Sequence, residues 1–335
     1  MRILYFTLTL LLIFELPANS QKFEWLAGFD GFLDNREYFS IEVPQTIFGS
    51  RIMGEIGASV ADVHRFRVGM NFLYEFGHDL DAYAPNITMY YQYDDESINF
   101  LVGAFPRSNL LEYPIALLSD TLRYYRPNIE GGYIGIRGDW GYQNAFIDWT
   151  SRQTDHSYER FIFGFSGRLR KGIMFMNHHL MMGHFAGKGI PDPDDHLRDN
   201  GGFHVNVGTD LSEKILLDSL IISAGALVSL DRIRGVDDGW QTPAGFLGQF
   251  TTFYRWIGIT GLYYRGQGHT FLYGDPFYRL DQYGRLDLYY MPFRSKNLSL
   301  KINFVLHFAK NQIDTSQQIL VSMALNGARP FRNRD

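Results

Sequence analysis

The residues best suited to chemistry sit in a few short stretches. Asp192, Asp194, Asp195 and Asp199, in PDPDDHLRDNGG, offer the hard oxygen ligands that Ca²⁺ takes. Their spacing is not that of an EF-hand loop, and two prolines interrupt them. A solvated acidic loop is the simpler reading, with calcium left as the alternative. His178, His179 and His184 lie in or beside one alternating segment. Neighbouring residues of a strand point to opposite faces, so these histidines make a poor metal site. GFSGR lacks the second glycine of a nucleophile elbow. No Walker or dinucleotide fingerprint occurs. No serine–histidine pairing stands out along the chain. The expectation is therefore no catalytic residue, no cofactor and no enzyme.

Charged residues are more telling by where they recur. Arg51, Glu55, Arg65, Arg67, Glu75, Asp148, Arg160, Arg168, His204 and Lys301 all fall on the polar parity of alternating segments. NLSLKINFVLHFA, residues 297–309, shows the pattern: Leu298, Leu300, Ile302, Phe304, Leu306 and Phe308 share one face. Lys301, Asn303 and His307 fall on the other. A period of two is a β-strand. HRFRVGMNFLYEF, NITMYYQY, RFIFGFSGRLR and SLIISAGALVSLD repeat the pattern, and no helical period is sustained.

Such an apolar face meets a second sheet in a soluble sandwich and lipid in a transmembrane barrel. The connections decide between them. The expected strands are 23–32, 47–60, 64–76, 86–93, 97–105, 131–138, 142–151, 158–169, 172–184, 202–210, 216–230, 246–255, 257–265, 284–292, 297–308 and 317–325. That makes about 16, an even number, as single-chain barrels require. Short connections (VADVH, DDES, GDWGY, LRKG, DLSEK, RWIG, RSKN) alternate with long ones, so every short turn falls at one end. Periplasmic turns are short and extracellular loops long in outer-membrane barrels. Tyr and Trp cluster near strand ends, which suits aromatic girdles.

The ends and composition agree. MRILYFTLTLLLIFELPANSQ has a basic start, an apolar run too short to span a bilayer, and small residues at 18 and 20. It reads as a signal peptide over residues 1–20, leaving one barrel domain over 21–335. No cysteine is present, which removes disulfides and a lipid-bearing cysteine. Aromatic residues make up 16% of the chain and charged residues only 20%, yet mean hydropathy is slightly negative. A barrel with a polar interior reconciles these values; a helical membrane protein does not. The net charge of −5 gives nucleic acid no basic face to bind.

The leader, the alternation and the loop rhythm together resemble Gram-negative outer-membrane porins. FLDNREYFS, PQTIFGSRIMGEIG and LLSDTLRYYRPNIEGGYIG resemble phrases of porin-like proteins without an assigned substrate. The resemblance implies an all-β, antiparallel up-and-down barrel in the cell outer membrane. It also implies a passive channel for small polar solutes and contact with outer-membrane lipid. Association of several copies would fit too. Acidic and basic residues on opposite walls would then set a transverse field. One long connection, residues 106–130, is too apolar for a solvated loop. It is expected to fold into the lumen and bring Arg107, Asp120, Arg123 and Arg126 to a constriction beside the wall set. Two alternatives remain: a plugged barrel that binds surface polysaccharide or a partner protein, and an outer-membrane hydrolase.

Overall fold

The computed structural model describes residues 21–41, 44–79, 84–190 and 195–330. The expected signal peptide and the residues Asp192 and Asp194 lie outside these. Alternating sequence becomes strand throughout. The strands are β1 (Gln21–Glu37), β2 (Gln45–Val60), β3 (His64–Glu75), β4 (Asn86–Asp94), β5 (Ile98–Pro106), β6 (Asn128–Gly138), β7 (Gly141–Ser151) and β8 (Arg160–Lys171). They continue with β9 (Met174–Phe185), β10 (Arg198–Asp210), β11 (Ser219–Ile233), β12 (Ala244–Tyr254), β13 (Ile257–Gly266), β14 (Gln282–Arg294), β15 (Leu298–Ala309) and β16 (Gln312–Pro330). Each pairs antiparallel with its chain neighbours, and β1 pairs with β16 to close the barrel. Closure leaves no unpaired edge, the condition for a sheet to cross a bilayer.

The outward face is apolar from strand to strand. Ile52, Ile56, Phe66, Val68, Met70, Met89, Val102, Phe163, Phe165, Ile302 and Phe304 are all well exposed. Their inward neighbours are polar and buried: Arg51, Glu55, Asn71, Thr88, Ser166 and Asn303. Burial thus runs opposite to a soluble protein's, because lipid rather than water covers the apolar side. Trp25, Trp140, Tyr254 and Trp256 ring one end of this belt, and Trp149 and Tyr263 the other.

Seven connections at one end are short, including the two-residue turns 139–140, 172–173 and 255–256. The other end carries the long loops, with one departure from the expected rhythm. The β15–β16 connection there is only Lys310–Asn311, both with positive φ (48° and 61°). Two consecutive residues of this kind make the tight turn whose twist matches a hairpin. The last strand, expected over 317–325, runs over Gln312–Pro330, so the polar run QIDTSQQ is strand as well.

Two long loops turn into the barrel and fill its middle. Residues 107–127 carry the short helix α1 (Thr121–Tyr125). Residues 267–281 carry a 3₁₀ turn (Pro276–Arg279), capped by the Asp275 carboxylate accepting from the Phe277 amide at 3.0 Å. The loops bond to each other through Asp275 N to Ile115 O (2.9 Å) and Ser119 N to Tyr273 O (2.8 Å). Ala116, Leu117, Phe271, Phe277 and Tyr278 on the loops pack with Phe105, Ile129, Tyr264 and Tyr283 of the wall. A sixteen-strand barrel is wide enough to hold such a plug. The second of these loops was not anticipated from the sequence.

Candidate active site

The charged residues picked out in the sequence do not gather into one ring. Toward the short-turn end, Arg67 Nη2 lies 2.7 Å from Glu24, and Arg65 lies 3.5 Å from Glu24 and 3.7 Å from Asp94. Glu55 accepts the Tyr90 hydroxyl at 2.9 Å and stands 4.0 Å from Arg67. Toward the long-loop end, Arg107 pairs with buried Asp148, and Arg126 is 3.9 Å from the same carboxylate. Arg51 donates to the carbonyls of Arg123 (3.1 Å) and Tyr124, which fixes α1 to the wall. Asp120 and Arg123 stand 3.8 Å apart at the loop surface. Arg160, Arg168 and Lys301 lie over the rings of Tyr158, Phe175 and Tyr289 at 5.5, 4.1 and 4.5 Å. Glu75 accepts from Tyr125 at 2.8 Å, and His204 stacks on His179.

Three histidines form the pairings that the sequence concealed. Inside the plug, Ser229 Oγ lies 2.6 Å from His269 Nδ1, and Ser229 also accepts from the Thr270 amide at 2.9 Å. Both side chains are sealed, at 0% and 2% exposure. Burial lowers the His269 pKa to about 4. His307 is likewise enclosed, with the Tyr283 hydroxyl at 2.7 Å and Ser316 at 3.4 Å. Neither serine meets a substrate in this arrangement.

The third histidine faces outward. Phe185 points inward onto Tyr273, so its neighbour His184 points to the lipid side, against Phe161. The β9–β10 register places Asp199 directly across from it. His184 Nδ1 is 2.7 Å from Asp199 Oδ1, and the other carboxylate oxygen accepts from Arg234 Nε at 2.7 Å. A carboxylate only accepts, so Nδ1 carries the imidazole proton and Nε2 is the basic nitrogen. Stacked Trp149 and Phe161 extend the row across β7 and β8. One row deeper come Phe163 and Met182, at the edge of the apolar belt. The long loops above bring cations: Lys188 lies 4.7 Å over the Tyr158 ring, and Arg152 is exposed. The described residues hold no group of three or more His, Asp or Glu side chains placed to grip a metal.

A closed membrane barrel with a polar interior and inward-folded loops defines the class: the porin-type outer-membrane fold. The chain is similar to OmpT of Vibrio cholerae in its trimer form, with 9% identity and a TM-score of 0.57 over 91% of this chain and 100% of that one. It is similar to OccK5 (OpdH) of Pseudomonas aeruginosa, at 10% identity and 0.55 over 91% and 98%. It also resembles the anion-selective porin from Comamonas acidovorans, at 8% and 0.52 over 91% and 99%. At such identities the likeness shows the fold alone. No curated protein matches the chain. Residues 18–328 match the model of the Lipid A 3'-O-deacylase-type family, and the chain belongs to that family.

This membership corrects the expectation that the chain is not an enzyme. That expectation rested on the lack of a catalytic motif along the sequence. A site assembled across strands has no such motif, because register joins residues far apart in the chain. The same blind spot hid His184. Read along one strand it was a poor metal ligand; read across to β10 it is half of a His–Asp pair.

Proposed function

We propose that the protein is an outer-membrane ester hydrolase that removes acyl chains from a lipid A-type lipid, with His184 and Asp199 as its base. The long-loop end is taken as the cell surface. The observation that carries the reading is the His184–Asp199 pair on the lipid-facing wall, at 2.7 Å and just above the apolar belt. The acyl ester of an outer-leaflet lipid lies at that depth, with its chains below and its headgroup above. Family membership supports the substrate class.

The chemistry follows from the tautomer. His184 Nε2 takes a proton from water, and the water oxygen adds to the ester carbonyl. Arg234, half exposed beside Asp199, offers positive charge to the resulting oxyanion. The imidazolium, steadied by Asp199, returns the proton to the departing sugar oxygen. The products are a fatty acid and an alcohol. Lys188 and Arg152 are suited to headgroup phosphates.

The passive-channel expectation is placed second because buried aromatic side chains of both loops fill the barrel's middle. Export by the N-terminal leader and association into several copies stay part of the proposal.

The test is mass spectrometry of lipid A incubated with the detergent-solubilised protein. Loss of one acyl chain is expected, with His184→Gln reducing the rate about 10²–10⁴-fold. Release that His184→Gln leaves unchanged would move the reaction elsewhere on the barrel. No release would return the channel reading to first place.

A further inference from the structure

Beneath the plug, at the short-turn end, lies a cavity of about 490 Å³ that the hydrolase reading does not use. It is within the size range of small-ligand sites. Its wall carries Arg168 and Arg170 of β8 and Tyr142 of β7; its roof carries Glu112, from the tip of the 107–127 loop. Arg168 stacks over Phe175, and its buried Nε makes no hydrogen bond among the described residues. Glu112 accepts the Tyr142 hydroxyl on one oxygen, at 3.0 Å. Asp139 lies in the exposed 139–140 turn at the cavity mouth, and Asp210 faces Arg168 and Arg170 from β10. Arg137 is held by Asp94 at 2.9 Å and by the Glu96 carbonyl at 3.0 Å, and Asp210 accepts from Ser212. What the cavity offers a guest is therefore guanidinium on one wall and carboxylate overhead, with aromatic sides.

We infer that this vestibule binds a small zwitterion, an amino acid or short peptide with a free carboxylate and a free ammonium. The carboxylate goes to Arg168 and Arg170, which present donors in a planar fork. The ammonium goes to Glu112. A simple anion meets Glu112 as a like charge, and a simple cation meets the arginines. Only a ligand carrying both charges satisfies both walls. The inference stands apart from ester hydrolysis, since the cavity is inside the barrel and far along it from His184.

Isothermal titration of the detergent-solubilised protein with L-alanyl-L-alanine tests it. Saturable binding is expected, weakened at least tenfold by Arg168→Gln, by Glu112→Gln, or by N-acetylation of the peptide. Arg170→Gln, at the exposed end of its strand, serves as a second variant should the Arg168 or Glu112 change disturb folding; it too should weaken binding. Unfolding mobility on gels checks that each variant is a closed barrel. No saturable heat up to about 10 mM, or variants that bind as the parent does, overturns the inference.

Discussion

Ser229 of β11 and His269 of the 267–281 loop meet at 2.6 Å inside the plug, forty positions apart in the chain. The pair has the right atoms for nucleophilic catalysis, but it is sealed from both membrane faces. Its work is to hold the loop. Ser229→Ala should leave lipid deacylation unchanged while weakening the fold by about 1–3 kcal/mol, because His269 and the Thr270 amide both lose a buried partner. Urea unfolding in detergent micelles measures the loss. A collapse of activity in a folded Ser229→Ala protein would instead make this the reaction centre.

The same loop should respond to pH in two opposed ways. Burial lowers the His269 pKa to about 4, so its neutral form is the one the fold accommodates. That contribution is present above about 6.5 and is lost as pH falls through about 4. Burial raises the Asp275 pKa to about 6, with the nearby Arg285 working against it. Its contribution is present below about 3.9 and is lost as pH rises through 6. Each variant isolates the other group. Asp275→Asn should weaken steadily as pH drops from 6.5 to 4; His269→Gln should weaken as pH climbs through 6. Limited proteolysis of the 267–281 loop across this range reads both slopes.

The 107–127 loop depends on one buried ion pair. Arg107 and Asp148 are almost fully enclosed, and Asp148 also accepts from the Glu130 amide at 3.0 Å. Replacing one partner strands a buried charge. Arg107→Ala should cost about 3–5 kcal/mol, a larger effect than any exposed pair, such as Arg123 with Asp120, can give. The comparison of Arg107→Ala with Arg123→Ala, by thermal shift of gel mobility, decides whether burial governs the difference.

Ion conduction should be controlled by the plug rather than by the wall. In a planar bilayer the intact protein is expected to give no ohmic steps, and removal of residues 108–126 and 268–280 together should open the lumen. Large steps from the intact protein would show that the packed core of Leu117, Phe271 and Phe277 yields to ions.

The wall was legible in the sequence because lipid imposes a strict rule. Every second residue must be apolar, so Ile302 and Phe304 announce their strand without any knowledge of its partners. β16 was the exception: Ile313, Thr315 and Gln317 share the outward parity, but two of the three are polar. The plug was half legible. Leu117 and Tyr124 looked too apolar for a solvated loop, whereas His269, Asp275 and Tyr278 look like ordinary polar loop residues until the structure buries them. The His184–Asp199 pair was not legible, since strand register is fixed by the whole barrel and is written in neither residue.

The two-residue turn at Lys310–Asn311 gives the barrel a front and a back. Most connections at this end run to eight residues or more, but β15 and β16 are joined by only two, so there the wall stops almost where the strands do. Lys310 even reaches over to the carbonyl of Ser40 at 2.8 Å, drawing the neighbouring loop toward this low saddle. The lowest stretch of the rim therefore lies beside the β1–β16 seam that closes the barrel, so the two ends of the chain meet under its most open side.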